Sequence, residues 1–162
     1  MSSVTYQVSR VRCQATSAKK DLRIQAMSKV LRIDHVAMVV EDMEKTLAFW
    51  RDGLGLELTH IEDVTTEKSR VAFLPVGASE VELVNPTSDD SGLKRYLEKR
   101  GPGMHHLCLE VDDIEGMLER LRERGIQLIN DTPANGLGGK RYAFIHPKSA
   151  NGVMVELYEL PK

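Results

Sequence analysis

Two histidines and two glutamates occupy matching places in this 162-residue sequence. His35 lies in the run IDHVAMVV and His106 in MHHLCLEV, each two residues after an apolar residue, Ile33 or Met104. Glu82 is flanked by Val81 and Leu83, and Glu156 by Val155 and Leu157. Successive side chains of a strand point to opposite faces, so a polar residue inside an apolar run needs a solvated face or a purpose. Taken singly, a strand His or Glu is more often a hydrogen-bonded or solvated residue than a ligand. Taken together, two neutral imidazoles and two carboxylates form a mixed nitrogen and oxygen set that suits a first-row divalent ion.

An internal repeat gives the reason for these four to meet. Placing IDHVAMVVEDMEKTLAFWR over MHHLCLEVDDIEGMLERLR pairs His35 with His106, Val40 with Val111, Asp42 with Asp113, Glu44 with Glu115, Leu47 with Leu118 and Arg51 with Arg122, all at one offset of 71 residues. The same offset sets Arg70, Ala72 and Phe73 on Arg141, Ala143 and Phe144, and a small insertion then pairs Glu82 with Glu156. Matches at so many separated positions indicate duplication. A metal on the pseudo-twofold axis requires one His and one Glu from each copy, whereas isolated structural residues have no cause to recur in pairs.

The elements that position the four follow from the same repeat. In each copy an apolar run, residues 30–40 or 104–111, has the length and β-branched content of a buried strand. Asp42 or Asp113 is then placed to cap a helix, with Glu44 or Glu115 favouring its dipole. Met43, Leu47, Trp50 and Leu54 repeat at helical spacing, as do Ile114, Leu118 and Leu121, so each helix presents one apolar stripe to a core. Gly53 and Gly55, or Gly125, end these helices, and three further strands follow in each copy, broken by Gly77, Pro86, residues 136–139 and Gly152. The expected fold is α+β: two tandem βαβββ modules whose curved mixed sheets face each other around a metal-binding cleft, with the helices outside. Module 1 covers about residues 31–86, a linker helix capped by Asp90 or Ser91 about 90–101, and module 2 about 103–160, all within one domain over 30–162. Residues 1–29 read as an extension, since the first twenty include no Asp or Glu and show no amphipathic period. They are expected to be flexible or to serve as a targeting segment.

Composition excludes several functions. A formal net charge of -2 offers no basic surface for nucleic acid. No apolar run reaches the roughly 20 residues that cross a bilayer. The only cysteines, Cys13 and Cys108, form no disulfide framework, and Cys108 inside HLCLEV reads as a small buried hydrophobe. By strand alternation His105 should face away from His106, while His60 at a strand end and His146 before Pro147 read as structural. GLGGK lacks the strand-to-helix setting of a phosphate-binding loop and is expected to form a hairpin facing the substrate.

Several stretches bring a resemblance. RIDHVAMVVEDMEKTLAFW, VAFLPVGASEVELVNP, LKRYLEKRGPGMHHLCLEVDDIE and GGKRYAFIHPKSANGVMVEL together span nearly all of residues 31–157. They resemble the vicinal oxygen chelate (glyoxalase) superfamily and, within it, the methylmalonyl-CoA epimerase family. The resemblance implies metal ligands at His35, Glu82, His106 and Glu156, the quartet that the repeat also gives. It implies one divalent ion, Co, Mn or Zn, and an acyl-CoA substrate whose C2 proton is removed and replaced through an enolate, with Glu156 as one acid/base. It further implies a homodimer, in the cytoplasm, or in the mitochondrial matrix if residues 1–29 are a transit peptide, and no membrane or nucleic-acid partner. Some family members place a second catalytic carboxylate at about Val71, which cannot move a proton; Glu67 and Lys68 are near in sequence, but nothing in the pattern puts either in the cleft. Two other readings share the fold: a glyoxalase I type lactoylglutathione lyase with a similar quartet, and a metal-free small-molecule-binding protein. An extradiol dioxygenase, with three protein ligands to iron, would leave Glu82 superfluous.

Overall fold

The computed structural model describes residues 28–161; the expected N-terminal extension lies almost wholly outside that range. The branched run Val30–Val39 is strand β1, and the helix α1, Met43–Leu47, starts where the Asp42 side chain accepts a hydrogen bond from the Lys45 amide at 3.0 Å. Three strands complete the first module: β2, His60–Val64; β3, Ser69–Val76; and β4, Ser79–Pro86. Helix α2, Gly92–Arg100, is capped by Ser91 rather than Asp90 and links to β5, Gly103–Val111. Asp113 caps α3, Ile114–Glu123, by accepting from the Gly116 amide at 3.0 Å, the counterpart of the Asp42 cap. The second module closes with β6, Ala134–Asn135, β7, Arg141–Ile145, and β8, Met154–Glu159.

All eight strands join in the order β2-β3-β4-β1-β5-β8-β7-β6, a mixed sheet curled into a half-barrel. Within each module the first strand runs parallel to the last, β1 to β4 and β5 to β8, while β1 and β5 pair antiparallel. The two expected sheets therefore meet along the β1–β5 seam and are continuous.

The cores repeat as the sequence does. Val40, Met43, Leu47, Ala72, Leu74 and Leu83 pack between α1 and its sheet, and Val111, Ile114, Leu118, Ala143, Ile145 and Leu157 pack beneath α3. Each of these pairs is related by the repeat alignment. Leu47 and Leu118 are fully buried, and burial of such a side chain contributes about 1.5–3 kcal/mol. These residues face the helices, so their alternation partners face the cleft.

One stripe residue departs from expectation. After Leu47 the helix widens into a π-helical turn, Ala48–Gly53, in which the Leu54 amide donates five residues back to the Phe49 carbonyl at 2.9 Å. A wider turn rotates the following side chains off the apolar face. Trp50 still packs on the core, but Leu54 is 56% exposed.

Candidate metal centre

Register puts the quartet on one face at the seam. Ala37, two residues after His35, sits beside Glu82, and Cys108, two residues after His106, sits beside Glu156. On the other flank Phe73 pairs with Glu82 and Phe144 with Glu156. Each module thus offers the same His, Glu and Phe arrangement, and antiparallel β1–β5 pairing turns the two copies toward each other.

The side chains converge. His35 Nε2 lies 3.0 Å from His106 Nε2, and Glu156 Oε2 lies 2.9 Å from His106 Nε2 and 3.6 Å from His35 Nε2. Ligand atoms of these three all lie within 4.8 Å of one another. Glu82 shares the cleft but approaches from the other side of the ring, its Oε1 3.5 Å from His35 Nδ1, outside the tight trio. Both histidines are buried, with only 8% of their surface exposed. Two imidazole nitrogens and carboxylate oxygens at such spacing suit a divalent ion.

The electrostatics fit a site built for positive charge. Burial acts to lower the His35 pKa, but Asp34, Cys108, Glu156 and Glu82 outweigh it and raise it to about 12. Burial would raise Glu156, yet its contacts with His106 and His35 hold it down at about 2. Glu82 lacks so close a partner, and burial raises its pKa above the ordinary carboxylate value.

Two β-bulges aim the histidines. Opposite the step from Leu109 to Cys108, β1 advances from Ile33 to His35, so Asp34 is an extra residue; opposite the step from Ala37 to Met38, β5 advances from His106 to Met104, so His105 is another. A bulge breaks alternation and redirects a side chain. Asp34 Oδ2 accepts from His35 Nδ1 at 3.0 Å, and His105 Nδ1 lies 2.9 Å from His106 Nδ1. Burial, followed by the charge of His106, pushes the His105 pKa down to about 4, so His105 stays neutral and its Nδ1 can accept. With each Nδ1 occupied, each Nε2 is left for a ligand, the usual arrangement around a metal-bound histidine.

His105 therefore does not face away from His106, as alternation predicts, because alternation does not hold across a bulge. The sequence carried one signal for both residues: Asp34 and His105 are themselves a pair at the offset of 71. Cys108 is fully buried, as expected, but lies on the cleft face within ligand distance of His35 and Asp34. Burial raises its thiol pKa to about 12. His60 stacks on Phe73, with ring centroids 4.3 Å apart, and His146 accepts from the Lys148 amide at 3.1 Å, so neither joins the site. The GLGGK segment forms a short 3-10 turn, Leu137–Gly139, beside the β6–β7 hairpin.

The sheet order, the doubled site and the seam specify a family. Residues 34–144 match the Glyoxalase/Bleomycin resistance protein/Dioxygenase superfamily. The chain belongs to this superfamily. Among its relatives there, mitochondrial methylmalonyl-CoA epimerase of Mus musculus is 37% identical over 130 residues, covering 80% of this chain and 73% of that protein. Ethylmalonyl-CoA/methylmalonyl-CoA epimerase of Cereibacter sphaeroides is 36% identical over 131 residues, covering 80% and 98%. A solved structure of methylmalonyl-CoA epimerase in complex with methylmalonyl-CoA and NH4+ matches with a TM-score of 0.74 at 33% identity, covering 82% of this chain and 96% of that one. Among the described residues no helix is long and apolar enough to cross a membrane.

Proposed function

We propose that this superfamily member is an isomerase that interconverts (R)- and (S)-methylmalonyl-CoA by removing and replacing the C2 proton. The observation that carries the reading is the pair of histidines with Nε2 atoms 3.0 Å apart and Glu156 beside both, in a chain whose full-length relatives include epimerases of this substrate. The stretches DDSGLKRYLEKRG and HPKS, which resemble the epimerases and not glyoxalase I, favour this reading over a lactoylglutathione lyase.

His35, His106 and Glu156 would hold a divalent ion through Nε2, Nε2 and a carboxylate oxygen, and Glu82, which lies 3.5 Å from His35 Nδ1, would become the fourth ligand by turning its carboxyl toward the Nε2 side. Bound there, Co, Mn or Zn would supply positive charge to stabilise an enolate oxygen. Asp34 and His105 keep the two imidazoles turned so that each Nε2 points into the cleft. Glu156 is ionised at neutral pH and so can accept a proton from C2. Its low pKa makes it a weak base while both imidazoles contact it, so proton transfer requires that these contacts loosen. A homodimer fits the exposed Val30, Leu31 and Ile33 on β1, and a cytoplasmic location is proposed with it.

The test follows deuterium from solvent into C2 of methylmalonyl-CoA, with the metal-loaded protein and after EDTA treatment. Incorporation that EDTA abolishes is expected. Absence of incorporation with metal present would refute the epimerase reading.

A further inference from the structure

Each imidazole of the centre is steadied at Nδ1 by the residue that a bulge adds before it, Asp34 for His35 and His105 for His106. What steadies those two residues differs between the modules. Asp34 is held from its own strand, where Arg32 Nη2 lies 2.5 Å from its second oxygen. The repeat puts Gly103 at the place of Arg32, 71 residues on, and glycine has no side chain to offer. Among the described residues His105 also has no cross-strand partner, since β1 passes it at the bulge and pairing with β8 begins at His106. The ladder leaves a bulged residue unpaired, so packing has to fix its ring.

The linker helix supplies that packing. Tyr96 on α2 meets the His105 ring edge to face, with centroids 4.6 Å apart and planes at 81°. Its hydroxyl donates at 3.2 Å to the carbonyl of Met104, the residue before His105. One turn further along α2, the Arg100 guanidinium lies 5.8 Å from the centre of the Tyr96 ring. Tyr96 is thus tied to β5 at two points and backed by a cation on its own helix.

Helix α2 is itself firmly placed. At its start the Ser91 hydroxyl accepts from the Lys94 amide at 2.9 Å, and at its end the Gly101 amide donates to the Leu97 carbonyl at 2.7 Å. Gly101 has a φ of 75°, which glycine adopts at little cost, and only Pro102 then separates it from β5. Leu93, one turn before Leu97, packs against the cluster of Ala37, Val71 and Val84 in module 1. One helix therefore touches module 1 through Leu93 and module 2 through Tyr96.

We propose that Tyr96 is a positioning residue of the metal centre: it fixes the His105 ring, which in turn keeps His106 Nε2 aimed into the cleft. The proposal rests on the metal centre of the epimerase reading. Module 1 aims its histidine with charge, through Arg32 and Asp34, whereas module 2 aims its histidine with a ring supplied from outside the repeat. The bulge recurs in both copies but its support does not, and the linker takes the place that Arg32 holds in the first copy.

The test measures zinc affinity by titration calorimetry for wild type, Tyr96→Phe, Tyr96→Ala, His105→Ala and the double variant Tyr96→Ala with His105→Ala. The melting temperature of each metal-free protein is recorded beside it. Tyr96→Ala should weaken zinc binding about tenfold, as loss of an outer partner of a metal ligand does. Tyr96→Phe keeps the ring contact and should stay within about threefold of wild type. Adding Tyr96→Ala to His105→Ala should cost less than about threefold more, because the two residues act in series. The visible spectrum of the cobalt-loaded protein should change in Tyr96→Ala and return in Tyr96→Phe. Tyr96→Leu, with apolar bulk but no flat ring, takes the same place in the comparison if Tyr96→Ala does not fold. Wild-type zinc affinity in a folded Tyr96→Ala or Tyr96→Leu would overturn the proposal, as would losses that simply multiply in the double variant. A wild type that binds no zinc or cobalt is a separate result and would remove the metal centre itself.

Discussion

Replacing Asp34 with Asn tests whether the bulges tune the metal centre. Asp34 Oδ2 lies 3.0 Å from His35 Nδ1, and Arg32 Nη2 holds its other oxygen at 2.5 Å, so Arg32, Asp34 and His35 form a short relay. Asn keeps the shape and one acceptor but loses the charge that faces both the imidazole and the guanidinium. Loss of such an outer partner typically costs 10- to 100-fold in metal affinity, about 1.4–2.8 kcal/mol. Arg32 keeps Glu110 at 2.6 Å and is itself half-exposed, so its lost contact with Asp34 should cost at most about 1 kcal/mol. The principal change should therefore appear in metal binding. Titration calorimetry with Zn and with Co, beside the melting temperature of the metal-free protein, separates the two effects. A dissociation constant within about threefold of wild type, in a folded protein, would refute the idea that the carboxylate orients His35.

Further outcomes follow from the same geometry. His106→Ala should abolish metal binding and deuterium exchange, and His105→Ala should weaken metal binding about tenfold, because its acceptor is neutral and water can replace it; calorimetry on both variants measures this. In the metal-free protein the His35 pKa is raised to about 12, so the ring is protonated at neutral pH and a metal ion must displace that proton. Affinity should then rise as pH rises from 6 to 8, with proton release visible as a dependence of binding heat on buffer ionisation enthalpy; pH-independent affinity would contradict it. Burial that raises the Cys108 thiol to about 12 predicts slow alkylation at pH 8 in the folded protein and fast alkylation after denaturation, read by mass spectrometry of the Cys108 peptide.

The repeat made most of the architecture legible. The pairs Leu47 and Leu118, or Ala72 and Ala143, mark equivalent core positions because duplication copies packing along with sequence. His35 and His106 could be paired on the same ground. What escaped was whatever depends on pairing between modules. The bulges at Asp34 and His105 exist only in the β1–β5 register, and strand alternation assumes an unbroken one. Leu54 was misplaced because a π turn changes the period without any marker in residue type.

In the proposed site the β1–β5 seam would give each module half of a chelate, one histidine and one glutamate apiece. Neither half can close the coordination shell alone, so ion binding is thermodynamically linked to docking of the two halves. An ion at 100 times its dissociation constant would add about 2.7 kcal/mol to the union of the halves, as a clasp fastened from both sides. A duplicated gene gains this without inventing a new ligand, because two copies of one weak half-site, turned face to face, already make a whole one.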